Sequence, residues 1–149
     1  LRDRRVLNRL KNCDGNAKLS LLPWKTVRDA ISDLPVPVIR GEQTVVPNHV
    51  QHPGARWYKG HTGSGYDYPA KALKAGTHGT PGGENMLRLG GSRSVRYFTT
   101  REAARLHGFP DSWVFTGTWG SCIRQLGNAV PVPVAQAFGE MIAKELTHG

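Results

Sequence analysis

The apolar positions of this chain fall into a helical rhythm at only a few places. Val27, Ala30, Ile31 and Leu34 recur at i, i+3, i+4 and i+7, which gathers them on one face of an α-helix. Thr26 and Asp29 stand at the cap and third positions of that run, where each side chain can satisfy the other's backbone N–H. Pro35 closes the element, because a residue before proline is pushed out of the helical region. A second helix begins at Thr99, with Glu102 three residues on to complete a capping box. Ala103, Ala104, Arg105 and Leu106 favour helix, and Gly108 supplies a left-handed stop ahead of Pro110. A short turn of helix is expected over Cys122–Leu126, ending at Gly127-Asn128. The last helix begins at Pro131, where a missing N–H costs nothing, and carries Val134, Phe138, Met141, Ile142 and Leu146 as an apolar stripe that needs a partner surface.

Elsewhere the pattern is looser. Residues 1–22 are polar and ambiguous, and residues 35–69 mix Pro, Gly and His with short extended stretches such as Gln43–Val46. Residues 70–75 and 86–89 read as short strands. Between them Gly76–Asn85 is a loop with four glycines, suited to tight turns or to a backbone that approaches a ligand closely. No internal repeat is visible, and the mixture of elements predicts an α+β protein.

Composition sharpens this picture. Leu, Ile, Val and Phe make up about 22% of the 149 residues, just above the ~20% below which chains tend to stay disordered, so the core is expected to be thin. Gly and Pro number 18 and 10, which points to many loops. No apolar run is long enough to span a membrane, and nothing at the N-terminus reads as a secretory signal. Two cysteines make neither a disulfide framework nor a four-cysteine zinc site, so a reduced, cytoplasmic setting is the default.

The net charge of +9 is unevenly spread. Residues 1–28 carry eight Lys/Arg against Asp3 and Asp14, and residues 56–101 carry another eight against Asp67 and Glu84. Residues 106–149 hold only Arg124 and Lys144 against three acids. A polyanion is the natural partner of such a field. For 56–101 the Gly-rich loop and Trp57, Tyr58, Tyr66 and Tyr68 point to nucleic acid, since aromatics add stacking beside the charges. Residues 1–28 alone read better as a solvated basic face.

The familiar chemical motifs are missing. The chain holds neither Gly-x-Gly-x-x-Gly nor Gly-x-x-x-x-Gly-Lys-Ser/Thr. His49-x-x-His52 has metal-like spacing but no Cys or acidic ligand nearby, so no metal site is expected. Cys13 lies beside Asp14, which disfavours its thiolate, and Cys122 sits in a helix and is expected to be packed. No carboxylate pair has acid/base spacing. The residues alone describe a basic, loop-rich recognition surface on two or three helices, with no catalytic constellation.

Two segments carry a resemblance. Arg96-Tyr97-Phe98-Thr99-Thr100-Arg101-Glu102-Ala103-Ala104-Arg105-Leu106-His107-Gly108-Phe109-Pro110-Asp111 closely resembles the ninth conserved motif of bacterial cytosine-5 DNA methyltransferases. Gln125-Leu126-Gly127-Asn128-Ala129-Val130-Pro131-Val132-Pro133-Val134-Ala135 resembles the tenth, in the right order and at a matching gap. Thr26–Pro35 is similar to the segment that opens the family's target-recognition region, and Pro69–Gly76 and His78–Asn85 resemble its interior in some members. The likeness spans about residues 24–146.

The resemblance implies a small irregular β-rich recognition lobe, a short capped helix and a long C-terminal helix, as a fragment of the larger α/β methyltransferase fold. It divides the chain into a basic segment (1–23), a target-recognition region (24–95) and C-terminal helical motifs (96–149). It covers the C-terminal part of such an enzyme only. The family's Gly-rich S-adenosylmethionine loop, Pro-Cys nucleophile and Glu-Asn-Val element have no counterpart among these residues. In the family a thiolate adds to carbon 6 of a flipped cytosine, a glutamic acid assists at nitrogen 3, and the methyl passes to carbon 5. No catalytic residue is therefore expected on this chain, which should read double-stranded DNA while an N-terminal catalytic domain or subunit supplies the chemistry. S-adenosylmethionine would be bound mainly by that domain, with Asn128, Ala129 and Val130 beside it. Lys71, Lys74, His78, Thr80 and Arg88 are the candidates for DNA contact, although Ala72-Leu73 stands where many relatives have Thr followed by an aliphatic residue. Arg96, Arg101 and Glu102 resemble an element that braces the recognition region, with Glu102 also the capping acid. The rival readings are a non-catalytic DNA-binding module derived from such an enzyme and a generic RNA-binding domain.

Overall fold

A computed structural model describes residues 23–39, 41–75, 83–90 and 93–147. The basic segment 1–22, Cys13, His78 and Thr80 lie outside the described residues. The elements are α1 (Val27–Ile31), β1 (Ser64–Gly65), a 3-10 turn (Gly83–Asn85), β2 (Met86–Arg88), β3 (Val95–Tyr97), α2 (Thr100–Leu106), α3 (Trp119–Asn128) and α4 (Val132–Thr147). The architecture is α+β, as the pattern of positions predicts.

Both predicted capping boxes form. Thr26 accepts from the Asp29 N–H at the start of α1, and Asp29 accepts from the Thr26 N–H at 2.8 Å. Thr99 and Glu102 do the same at α2. Helix α1 is shorter than the periodicity suggests. It ends at Ile31, and Leu34 reaches the core through a turn in which its N–H donates to the Ile31 carbonyl. Pro35 accounts for this, since it denies Leu34 the helical region. Gly108 takes φ +79, the left-handed stop expected of it.

The sheet is small and mixed. Strand β1 runs parallel to β2, with Ser64 opposite Leu87, and β2 runs antiparallel to β3, with Met86 opposite Tyr97 and Arg88 opposite Val95. The predicted strand over 86–89 is thus present, one residue shorter. The one over 70–75 is not a strand. Its backbone groups go to side chains instead: the Lys71 N–H donates to Ser64 Oγ, and the Lys74 N–H and C=O pair with the Asn85 carboxamide at 3.1 and 3.0 Å. Asn85 stands where a neighbouring strand's peptide would be, and Gly127 closes the space beside it. A Cβ on Gly127 would lie 2.4 Å from the Ala75 nitrogen.

Helix α3 begins three residues before the expected turn, because Thr118 caps it and accepts from the Ser121 N–H. The indole of Trp119 then donates to the Phe98 carbonyl at 2.9 Å, tying α3 to the chain before α2. Helix α4 begins one residue later than expected, with the Pro131 carbonyl accepting from Ala135.

The core joins α1, α2 and α3 to the sheet through Val27, Ile31, Leu87, Phe98, Ala103, Phe115, Ile123 and Leu126. Arg101 is wholly buried within this frame. Its guanidinium donates to the carbonyls of Pro47, Pro110 and Trp113, and so fastens two loops to α2. Arg105 bridges Asp33 and Asp111, linking the end of α1 to the turn after α2. Helix α4 has no buried residue, and its stripe of Val134, Phe138, Met141, Ile142 and Leu146 is exposed, Phe138 to 58%.

One buried histidine gives the fold a pH dependence. His107 caps α2, its carbonyl accepts from the Val132 N–H, and its Nδ1 has no hydrogen-bond partner among the described residues. Burial pushes its pKa below the usual imidazole value near 6.5. The folded state therefore binds fewer protons than the unfolded one below that value, and stability falls as the pH drops through it. Between pH 7.5 and 5.5 the thermal midpoint of the wild type should decline. Asp33, Asp67 and Asp111 contribute little there, since Arg105 and Arg28 hold their carboxyls below the usual carboxylate range. His107→Gln should flatten the decline, and an identical decline in that variant would assign the effect to other groups.

Candidate nucleic-acid interface and cofactor turn

The loop from Pro69 to Ala75 crosses one end of the sheet and leaves Lys71, Ala72 and Lys74 exposed while Leu73 enters the core. Leu73 acts as the pin that turns both lysines outward. Lys71 Nζ donates to Thr62 Oγ1 at 3.1 Å. Lys74 Nζ is 3.1 Å from Glu84 Oε1, and that contact lowers the Glu84 pKa alongside a backbone hydrogen bond. Arg88 is exposed on β2, and its guanidinium lies over Gly65, where a Cβ would come within 2.7 Å of a terminal nitrogen. Lys71 and Arg88 are thereby held by the two chains of the β1–β2 pair, Lys71 through Ser64 and Arg88 through its own strand.

A second basic surface was visible in the sequence only as part of a broad charged stretch. Ala55, Arg56, Trp57, Tyr58, Lys59, Arg93, Ser94 and Val95 line a cavity of about 690 Å3. Its signal in the sequence is the aromatic pair Trp57-Tyr58 flanked by the cations Arg56 and Lys59, to which folding adds Arg93, 5.1 Å above the Trp57 ring.

Asn128, Ala129 and Val130 form the turn between α3 and α4. The Ala129 N–H donates to Leu126, closing α3, while Asn128 and Val130 are exposed. The Asn128 carboxamide has no hydrogen-bond partner among the described residues. The turn can therefore offer one amide and one apolar side chain to the edge of a ligand. Gly108 lies against the start of α4, where a Cβ would meet Pro133 Cδ at 2.7 Å.

The remaining candidates are structural. His49 is buried between Thr99 Oγ1 and the Pro35 carbonyl, and His52 stacks on Trp119 with ring centroids 4.2 Å apart. The spacing of the two histidines thus serves packing. Among the described residues, no cluster of three His, Cys, Asp or Glu could hold a metal. Cys122 is buried, and burial pushes its thiol pKa up, as suits a packed residue. Glu102 both caps α2 and pairs with Arg96 through two contacts of 2.6 Å.

Comparison with known proteins identifies the family. The C-5 cytosine-specific DNA methylase family matches residues 25–144. The type II methyltransferase M.MthTI of Methanothermobacter thermautotrophicus is 30% identical over 144 residues, covering 81% of this chain and 44% of that protein. M.PspPI of a Psychrobacter species is 46% identical over 67 residues, 45% of this chain and 16% of the relative. The DNA (cytosine-5)-methyltransferase CMT2 of Oryza sativa is 54% identical over 48 residues, 32% of this chain and 4% of the relative. The chain belongs to the C-5 cytosine-specific DNA methylases, a transferase family that acts on DNA with S-adenosylmethionine as methyl donor. It spans less than half the length of the curated relatives it matches. No helix among the described residues is long and apolar enough to cross a membrane.

Proposed function

We propose that this chain is the DNA-recognition and C-terminal portion of a DNA (cytosine-5-)-methyltransferase, with the catalytic cysteine outside it. The observation that carries this reading is α4. A 16-residue helix with five large apolar side chains on one stripe and no buried residue is complete only against another surface. The turn that leads into it is the one matched to the family's tenth motif. In this reading residues 24–95 contact duplex DNA, residues 96–149 return to the catalytic domain, and 1–23 is a basic lead-in. S-adenosylmethionine supplies the methyl group when bound. Asn128 would hold one polar edge of it, Ala129 and Val130 would wall its apolar side, and α4 would dock that turn against the catalytic domain.

On the DNA side, Lys71 and Arg88 face phosphates directly, and Lys74 exchanges Glu84 for a phosphate. His78 and Thr80, outside the described residues, are kept as candidates for DNA contact from the resemblance alone. Each phosphate contact contributes about 0.9 to the slope of log K against log salt. Replacing Lys71, Lys74 and Arg88 by Ala should therefore flatten that slope by about 2–3 units, measured by anisotropy on a labelled duplex. The chain by itself should transfer no methyl group from labelled S-adenosylmethionine to DNA. Methylation at carbon 5 of cytosine by the chain alone, or an unchanged slope in the triple variant, would count against this assignment.

A further inference from the structure

The cavity between residues 55–59 and 93–95 has no assigned role. We infer that it seats two or three phosphodiesters of duplex DNA, held by Arg56, Lys59 and Arg93. This rests on the DNA-recognition reading above and adds a second backbone contact to it.

The first reason is the distribution of charge. Arg56, Lys59 and Arg93 line one open cavity, and no carboxylate is among the described residues that line it with them. Five acids among the described residues are paired with other cations: Asp67 with Arg28, Glu84 with Lys74, Glu102 with Arg96, and Asp33 and Asp111 with Arg105. Arg56 and Lys59 have no acidic partner among the described residues. Three cations on one cavity wall repel one another, and an anion seated there gains from all three.

The second reason is order. Arg93 rests over the half-buried Trp57 ring, and a guanidinium stacked in this way keeps its in-plane donors free for an oxyanion. Tyr58, on the same wall, is stacked on His61 with centroids 4.0 Å apart, and these two residues also form a backbone bridge. The wall is therefore fixed before any ligand binds.

The third reason is shape and place. The cavity is broad and open, whereas sites for small molecules enclose most of their ligand. An open, cationic trough suits a polymer backbone lying along it. Val95 in its lining is the β3 partner of Arg88, so the trough adjoins the surface already proposed to meet DNA.

The test compares the full chain with the triple variant Arg56→Gln/Lys59→Gln/Arg93→Gln on a labelled duplex over 50–200 mM salt. Three lost phosphate contacts should flatten the log K versus log salt slope by about 2–3 units. The double variant Arg56→Gln/Lys59→Gln leaves the Arg93–Trp57 stack in place and should flatten it by about 2. It also guards against a loss of fold, since both residues are exposed. Arg93→Lys keeps the charge and should leave the slope close to that of the wild type. A wild-type slope in both multiple variants, with binding intact, overturns the inference alone. Failure of the wild type to bind duplex DNA overturns the recognition reading and the inference with it. Displacement of the duplex by millimolar inorganic phosphate at constant ionic strength would assign the cavity to a small anion. Tighter binding of single-stranded RNA than of the duplex would assign it to RNA. Either outcome also overturns the inference.

Discussion

Phe138→Asp should reduce methyl transfer to background when this chain is combined with the catalytic region encoded with it, in the same reading frame or an adjacent one. The wild-type chain should restore transfer in that mixture. Phe138 lies near the middle of the α4 stripe, with Val134 one turn before it and Met141 and Ile142 one turn after, and all four are about half exposed in the chain alone. Docking would bury them together. A carboxylate at that point would enter the seam without a cation, since the charged residues of α4 are Glu140, Lys144 and Glu145, two of them acids. A penalty of roughly 3 kcal/mol weakens association about 100-fold, enough to empty the complex at micromolar concentrations. Because Phe138 contributes nothing to the buried core, the variant should keep the wild type's thermal midpoint and its affinity for duplex DNA. The expected signature is thus loss of transfer with fold and DNA binding preserved. Full transfer by Phe138→Asp would place the docking surface elsewhere. No transfer by the wild type would favour a stand-alone DNA-binding module.

Arg101→Met should lower the thermal midpoint by roughly 10 °C. The substitution keeps most of the side-chain volume and removes all the donors. Three carbonyls, those of Pro47, Pro110 and Trp113, then lose their partner. At about 1 kcal/mol for each hydrogen bond lost the change is roughly 3 kcal/mol, and for a chain of this size each kcal/mol shifts the midpoint by about 2–4 °C. Burial itself opposes the charge of Arg101 and pushes its pKa down, so the arginine is kept for the loops it fastens. Arg101→Lys should recover part of the loss, since an ammonium cannot span three carbonyls set around a planar fork. Scanning calorimetry of the three proteins gives the comparison. A midpoint for Arg101→Met within about 2 °C of wild type would mean that water replaces the guanidinium without cost.

The helices were legible in the sequence where their signals are local. Thr26 with Asp29 and Thr99 with Glu102 are pairs three residues apart, and each forms the capping box its spacing predicts. The Thr118 cap of α3 was passed over because Gly117, Trp119 and Gly120 around it give no apolar rhythm. Strands β1 and β3 are two and three residues long, too short for a two-residue period to show. The stretch 70–75 is short and lies between the turn residues Pro69 and Gly76, as a strand would, but Leu73 alone is buried and no two-residue period runs through it. What decided against a strand was Asn85, whose amide occupies the backbone groups that a neighbour would have used.

The proposed DNA surface shows the same division. The excess of cations over 56–101 is plain from composition, but which of them are unneutralised depends on contacts made by folding. Lys74 meets Glu84 ten residues away, and Arg28 meets Asp67 across thirty-nine. Arg56 and Lys59 lie in the same stretch and meet no acid among the described residues, a distinction that no count of charges contains. The two motifs at 96–111 and 125–135 pointed to the family through the identity of consecutive residues, and so did not depend on any predicted element.

Gly127 has a mechanical consequence. With no side chain, it lets α3 rest directly on the backbone of Lys74 and Ala75, where even a methyl group would overlap peptide atoms. Contact between two backbones has no rotamer to absorb a displacement, so a shift of one side is passed to the other. On one side of that contact are the lysines proposed to meet phosphates, and one residue beyond it on the other is Asn128, at the turn proposed to meet the cofactor. In the proposed reading, the loop that carries the DNA-facing lysines and the end of α3 that leads to the cofactor turn therefore touch backbone to backbone at one glycine, and Gly127→Ala would push the two apart.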